Sequence, residues 1–156
     1  PAASLPYLAD VAALEIMQVQ AYHAADTPPI EPHALQTTLA DPQQLAQLRL
    51  SLHPSLHILP SAFAVVSLWA AHQDASEGSV RLDELNPNQS ECALVCRVGL
   101  QVDILAIPPS TGAFAQALQG GTALLDAARC DPALDLSAAL ALMIRQQLIT
   151  GLQAAA

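Results

Sequence analysis

The sequence predicts a mainly helical α+β fold. A helical first half, residues 1–75, is followed by a second half, residues 76–156, built on a β-hairpin and three helices. Three observations carry that expectation. Leu5 to Ala25 repeats apolar residues at three- and four-residue spacing, the period of one helix face. Glu91 to Ala106 instead shows an apolar run of strand length, a glycine, and then an alternating segment. Between the halves, residues 74–90 are polar and rich in turn formers, as expected of a boundary.

In the first helix, Tyr7, Val11, Leu14, Met17 and Ala21 share a face. Pro6 suits its first turn, and Asp26-Thr27-Pro28-Pro29 ends it. Ile30 to Thr38 reads as a proline-bearing connection with one turn at Pro32 to Leu35. Asp41-Pro42-Gln43-Gln44 has the form of a capping box opening a short helix through Leu48. Arg49 to Leu59 alternates like a strand interrupted at His53-Pro54. Ser61 to Gln73 reads as a helix with Phe63, Val66 and Ala70 on one side.

Val80 to Leu82 suggests a short strand inside the boundary. Glu91 to Val98 and Leu100 to Ala106 form a hairpin around Gly99. Its apolar set, Leu100, Val102, Ile104 and Ala106, is expected to face the core, with Gln101, Asp103 and Leu105 on the other side. Pro108-Pro109-Ser110 opens a helix through Leu118 that Gly120-Gly121 ends. Thr122 can cap a second helix reaching Arg129. Asp135 or Ser137 caps a third, with Leu136, Leu140, Met143, Ile144 and Leu148 inward until Gly151.

Composition narrows the function classes. A chain of 156 residues suits one domain or two small ones. It is 53% apolar but only 3% aromatic, so the core is aliphatic. No apolar run approaches the ~20 residues of a bilayer span. Pro1 to Asp10 lacks the basic and apolar regions of a signal peptide. A cytoplasmic, soluble protein is expected, and the start at Pro1 without methionine reads as a trimmed or partial chain. Five arginines, no lysine and a net charge of −9 supply no basic stripe for phosphates, so this fragment is expected not to bind nucleic acid.

Nothing in the sequence assembles a catalytic set. There is no phosphate-binding glycine loop, serine elbow or helical His-Glu pair. His53 and His57 lie four apart, but a catalytic zinc needs three protein ligands and a structural one four. His23, His33 and His72 could in principle converge, though nothing in the sequence brings them together. Cys92 and Cys96, also four apart, and Cys130 read as reduced, buried, small apolar residues. Asp10 and Glu15 are out of register for an acid–base pair. No enzyme activity, metal or cofactor is expected.

Two blocks stand outside simple propensity. One runs from Leu5-Pro6-Tyr7-Leu8-Ala9-Asp10 to Ala21-Tyr22-His23-Ala24-Ala25-Asp26. The other is Leu48 to Gln73, with its Leu-His-Pro-Ser-Leu-His-Ile-Leu-Pro core and the only tryptophan, Trp69. Together they resemble the HvfC/BufC family, labelled as DNA-binding domain proteins, over nearly the whole chain. Better-understood relatives partner multinuclear iron-dependent oxidases that modify ribosomally made peptides. The resemblance implies a non-catalytic subunit that binds a metal-dependent oxidase, its precursor peptide, or both. Family members usually begin with a separate helical domain that this chain lacks. The alternative is therefore a transcriptional regulator whose DNA contacts lie in that missing N-terminal domain.

From Val80 to Leu152 the order of hairpin and three helices also resembles a winged-helix variant, the PqqD-type peptide-recognition module. That resemblance implies that a leader peptide adds beside the last strand and packs on the third helix. The peptide-binding residues would then be Leu100, Gln101, Val102, Asp103, Ile104, Leu140 and Ile144.

Overall fold

The structure is a computed structural model that describes residues 5–73 and 85–153; the strand expected at Val80 to Leu82 lies outside them. It is a mixed α+β fold. Helix α1 spans Leu8–Tyr22, α2 Pro32–Leu39 and α3 Pro42–Leu45. Strands β1 (Arg49–Leu52) and β2 (His57–Ser61) precede α4 (Val65–Gln73). Then come β3 (Glu91–Val98), β4 (Gln101–Ile107), α5 (Pro109–Gln119), α6 (Leu124–Arg129), α7 (Leu136–Arg145) and β5 (Ile149–Gln153).

The break at His53-Pro54 separates two strands that serve different sheets. β1 pairs antiparallel with β5, and β2 joins β3 and β4 in an antiparallel sheet of order β2-β3-β4. Strands from the two expected halves, 1–75 and 76–156, are thus hydrogen-bonded to each other in both sheets. Pro60 is accommodated because it sits on an edge strand, where its missing donor need not complete a ladder.

The three-stranded sheet divides two apolar clusters. On one face Ile58, Cys92, Leu94, Cys96 and Ile107 join the main core with Phe114, Leu118, Leu124, Met143 and Leu148. On the other, Ala93 and Val95 pack under Leu14 and Ala21 of α1 and Val65 of α4. Both faces of β3 are covered, which explains its continuous apolar run. Helix α5 approaches so closely that a Cβ on Gly112 would stand 2.5 Å from Cys92 Sγ.

Several local expectations are corrected. In α4 the buried residues are Val65 and Leu68, while Ala70 is exposed. That helix starts late because Ser61 still belongs to β2, and Glu91 holds its first turn by accepting from the Val66 and Ser67 N–H groups. Asp41 caps α3 through Gln43 N–H, but Gln44 Nε2 donates to the Asp41 carboxylate and does not reach back to its main chain. Helix α6 has no side-chain cap from Thr122; the Leu124 N–H donates to Leu48 O instead. Asp135, not Ser137, caps α7. That helix ends at Arg145, Gln147 takes a positive φ of 54°, and Gly151 lies inside β5 opposite Ser51.

Candidate functional site

The hairpin determines which main-chain groups β4 offers. Gly99 has φ +61° and Leu100 has no positive φ, which makes the two-residue turn type II′. Such a turn closes on a hydrogen-bonded pair, here Val98 and Gln101, and bonded pairs then alternate along an antiparallel ladder. Gln101, Asp103, Leu105 and Ile107 therefore bond inward to β3. The N–H and C=O of Val102, Ile104 and Ala106 point away from the sheet. An independent contact fixes the same phase: Arg97, opposite Val102, gives its main-chain N–H to Ser55 Oγ at 3.0 Å. Among the described residues, no hydrogen bond occupies this outer edge of β4.

Beside the far end of that edge lies a groove of about 350 Å³. Leu105, Ala106 and Ile107 form one wall, and Asp135, Ala138, Leu142 and Arg145 the other. The four helical residues follow a three–four–three spacing, so they are one row along α7. Ala138 is small, which leaves the space; Asp135 and Arg145 place opposite charges at the two ends of that row.

The residues expected to bind peptide divide accordingly. Leu100 sits in the turn and is 89% exposed, so it does not face the core. Gln101 is exposed beside it. Val102 and Ile104 pack against the α1–α4 cluster as expected, but Leu105 on the other face also meets apolar residues, being partly buried against the main core. Asp103 lies opposite Cys96 with its N–H turned inward. Leu140 packs into the main core, and Ile144 is 46% exposed. Ile144 lines a different depression with Pro29, Ile30 and Leu35, so it does not meet β4 in the groove. The row Asp135, Ala138, Leu142 and Arg145 escaped sequence reading because apolar periodicity points to the buried side of α7, marked by Ala139 and Met143, and the row lies on its flank. A small residue flanked by longer ones on a helix is the signal that could have found it.

A polar cleft at the opposite end of the sheet is lined by Asp26, His53, Arg97 and Gly99. Its cation is already committed. Arg97 Nε donates to Ala21 O, Nη1 to Gly99 O, and Nη2 to Ala24 O and Asp26 Oδ1. This guanidinium is a clamp between the end of α1 and the hairpin. Nearby, His53 Nδ1 accepts from the Ser55 N–H at 3.2 Å and lies 2.8 Å from Ser55 Oγ. The arrangement requires a neutral imidazole with its proton on Nε2. Burial lowers the His53 pKa, with Arg97 adding to the effect and Asp26 and the Thr27 main chain opposing it.

His53 and His57 do not act as a pair. The first is buried in the connection after β1, and the second begins β2. Among the described residues, no three His, Cys, Asp or Glu side chains gather into a metal-holding group. Cys92 and Cys96 are buried, and Cys130 is exposed, which corrects its expected burial. Asp10 accepts from Ser61 Oγ at 2.6 Å and so ties α1 to β2. Among the described residues no helix is long and apolar enough to cross a membrane. No family model, curated protein or solved structure matches the chain.

Proposed function

We propose that this chain is a non-catalytic partner subunit that holds an extended precursor peptide for a metal-dependent oxidase in ribosomal peptide modification. The single observation behind this reading is the outer edge of β4, unpaired among the described residues and running into the α7 groove. An added strand gains affinity from main-chain hydrogen bonds and selectivity from alternate side chains, and both are on offer there. In this reading β3, β4 and α5–α7 work as a winged-helix-like, PqqD-type module. The oxidase side of the proposal rests on the resemblance of the Leu5–Asp26 and Leu48–Gln73 blocks to the HvfC/BufC family. The acidic, lysine-free composition favours a peptide over nucleic acid.

The test uses any short precursor peptide that the neighbourhood of the chain's gene encodes, with fluorescence anisotropy as readout. Ala106 is exposed and its N–H points outward, so Ala106→Pro removes an edge donor without touching the β3 ladder. Affinity should fall about tenfold or more while the melting temperature stays near wild type. Unchanged affinity would remove edge addition. A gene neighbourhood with neither an oxidase nor a short precursor would remove the partner-subunit reading.

A further inference from the structure

A chain laid along β4 presents its side chains alternately to both faces of the sheet. The α7 groove serves only one of them. On the opposite face, at the hairpin end, Gln18, Val19, Tyr22, His23 and Val102 line a second depression of about 330 Å³. Helix α1 builds it with a surface that its own packing leaves open. Leu14 and Ala21 are buried on the inner side of α1, yet Ile16, Val19 and Tyr22 are 58%, 59% and 57% exposed on the outer side. A helix apolar on both sides ordinarily has cover on both.

We infer that this depression is a second peptide subsite, which takes an apolar side chain of the strand added to β4. The inference rests on the edge-addition reading. Its occupant is an extended chain because the outward N–H and C=O of Val102 stand at the wall of the depression and call for a pairing main chain. The occupant is basic in its flanks because the molecule carries a net charge of −9. Strand parity adds a constraint. Residues opposite Val102 point to the α1 face, and residues opposite Leu105 or Ile107 point to the α7 face. The two apolar anchors of a bound peptide must therefore lie an odd number of positions apart. At roughly 3.3 Å per residue, a strand of about six residues reaches both subsites.

The experiment selects phage-displayed random linear peptides on the purified chain. Binding of the most enriched synthetic peptide is then measured to wild type, Val19→Asp and Ala106→Pro. Enriched peptides should carry two apolar anchors at odd spacing with Lys or Arg nearby. Val19→Asp, at an exposed position, should weaken binding about tenfold. Replacing the α1-side anchor of the peptide by Ala should weaken binding to wild type, with no further loss in Val19→Asp. Tyr22→Ala repeats the test if Val19→Asp melts early. Full affinity in both α1 variants, with Ala106→Pro inactive, overturns the α1 subsite and leaves edge addition standing. Full affinity in Ala106→Pro, or no enriched peptide, overturns both.

Discussion

Arg97 and Asp26 stand 2.8 Å apart, yet the ion pair is the smaller part of what Arg97 does. The arginine side chain is 8% exposed and the aspartate 93%. An exposed partner screened by water contributes at most about 1 kcal/mol. The same guanidinium also donates to the carbonyls of Ala21, Ala24 and Gly99. Those acceptors join the end of α1 to the hairpin tip, so Arg97 fixes the relative position of the two proposed peptide-contacting elements.

Asp26→Asn should therefore stay within about 0.5 kcal/mol of wild type in urea unfolding. Arg97→Ala should cost about 2–4 kcal/mol, because it leaves several carbonyls without a donor. Arg97→Lys should recover only part of that loss, since one ammonium cannot span acceptors on both elements. Equal losses in Asp26→Asn and Arg97→Ala would assign the stabilisation to the ion pair.

The second prediction concerns the closest approach of α5 to the sheet. Gly112→Ala places a methyl 2.5 Å from Cys92 Sγ and 3.4 Å from Ile58 Cγ2. Overpacking of this kind costs about 1–3 kcal/mol. Removing the sulfur should relieve it, so Gly112→Ala with Cys92→Ala should be more stable than the sum of the two single losses implies. A double-mutant cycle by chemical denaturation measures that coupling. Strict additivity would show that the helix simply moves away.

Much of the second half could be read from sequence because its signals are local. Glu91–Val98 is one apolar run, Gly99 marks the turn, and Asp135 precedes a periodic helix. Strand β5 could not be read in the same way. Its partner β1 is about a hundred residues away in sequence, and Ile149, Gly151 and Leu152 look like the fraying end of α7. The same limit hides the division of Arg49–Ser61 between two sheets. The α7 groove was missed because an apolar moment finds the buried side of a helix, whereas Ala138 and Leu142 line its flank.

Thiol reactivity should separate the three cysteines. Burial raises the Cys92 thiol, and burial together with Asp103 pushes Cys96 up to about 12. The thiolate is the reactive form, so neither should alkylate in the folded protein near neutral pH. Cys130 is exposed and should label first. Mass spectrometry after iodoacetamide should show one adduct in native buffer and three in denaturant. Rapid native labelling of Cys96 would mean that the sheet opens toward α7.

The last prediction follows from His53. Its pKa lies below the ordinary value of 6.5, chiefly through burial, and His57 is lowered for the same reason. The unfolded chain then binds these protons more tightly than the folded one. Stability from this source is full above about pH 6.5 and is lost as pH falls toward the folded-state values. The geometry agrees in sign: a proton on His53 Nδ1 would face the Ser55 N–H, and the new charge would sit near Arg97. His53→Asn keeps a short acceptor for the Ser55 N–H but cannot titrate. Urea midpoints at about pH 7.5 and pH 5 should converge more closely in His53→Asn than in wild type, with the remaining drop belonging to His57 and the carboxylates. An identical drop in both proteins would show that His53 takes up its proton as readily in the folded chain as in the unfolded one, and that acid sensitivity arises elsewhere.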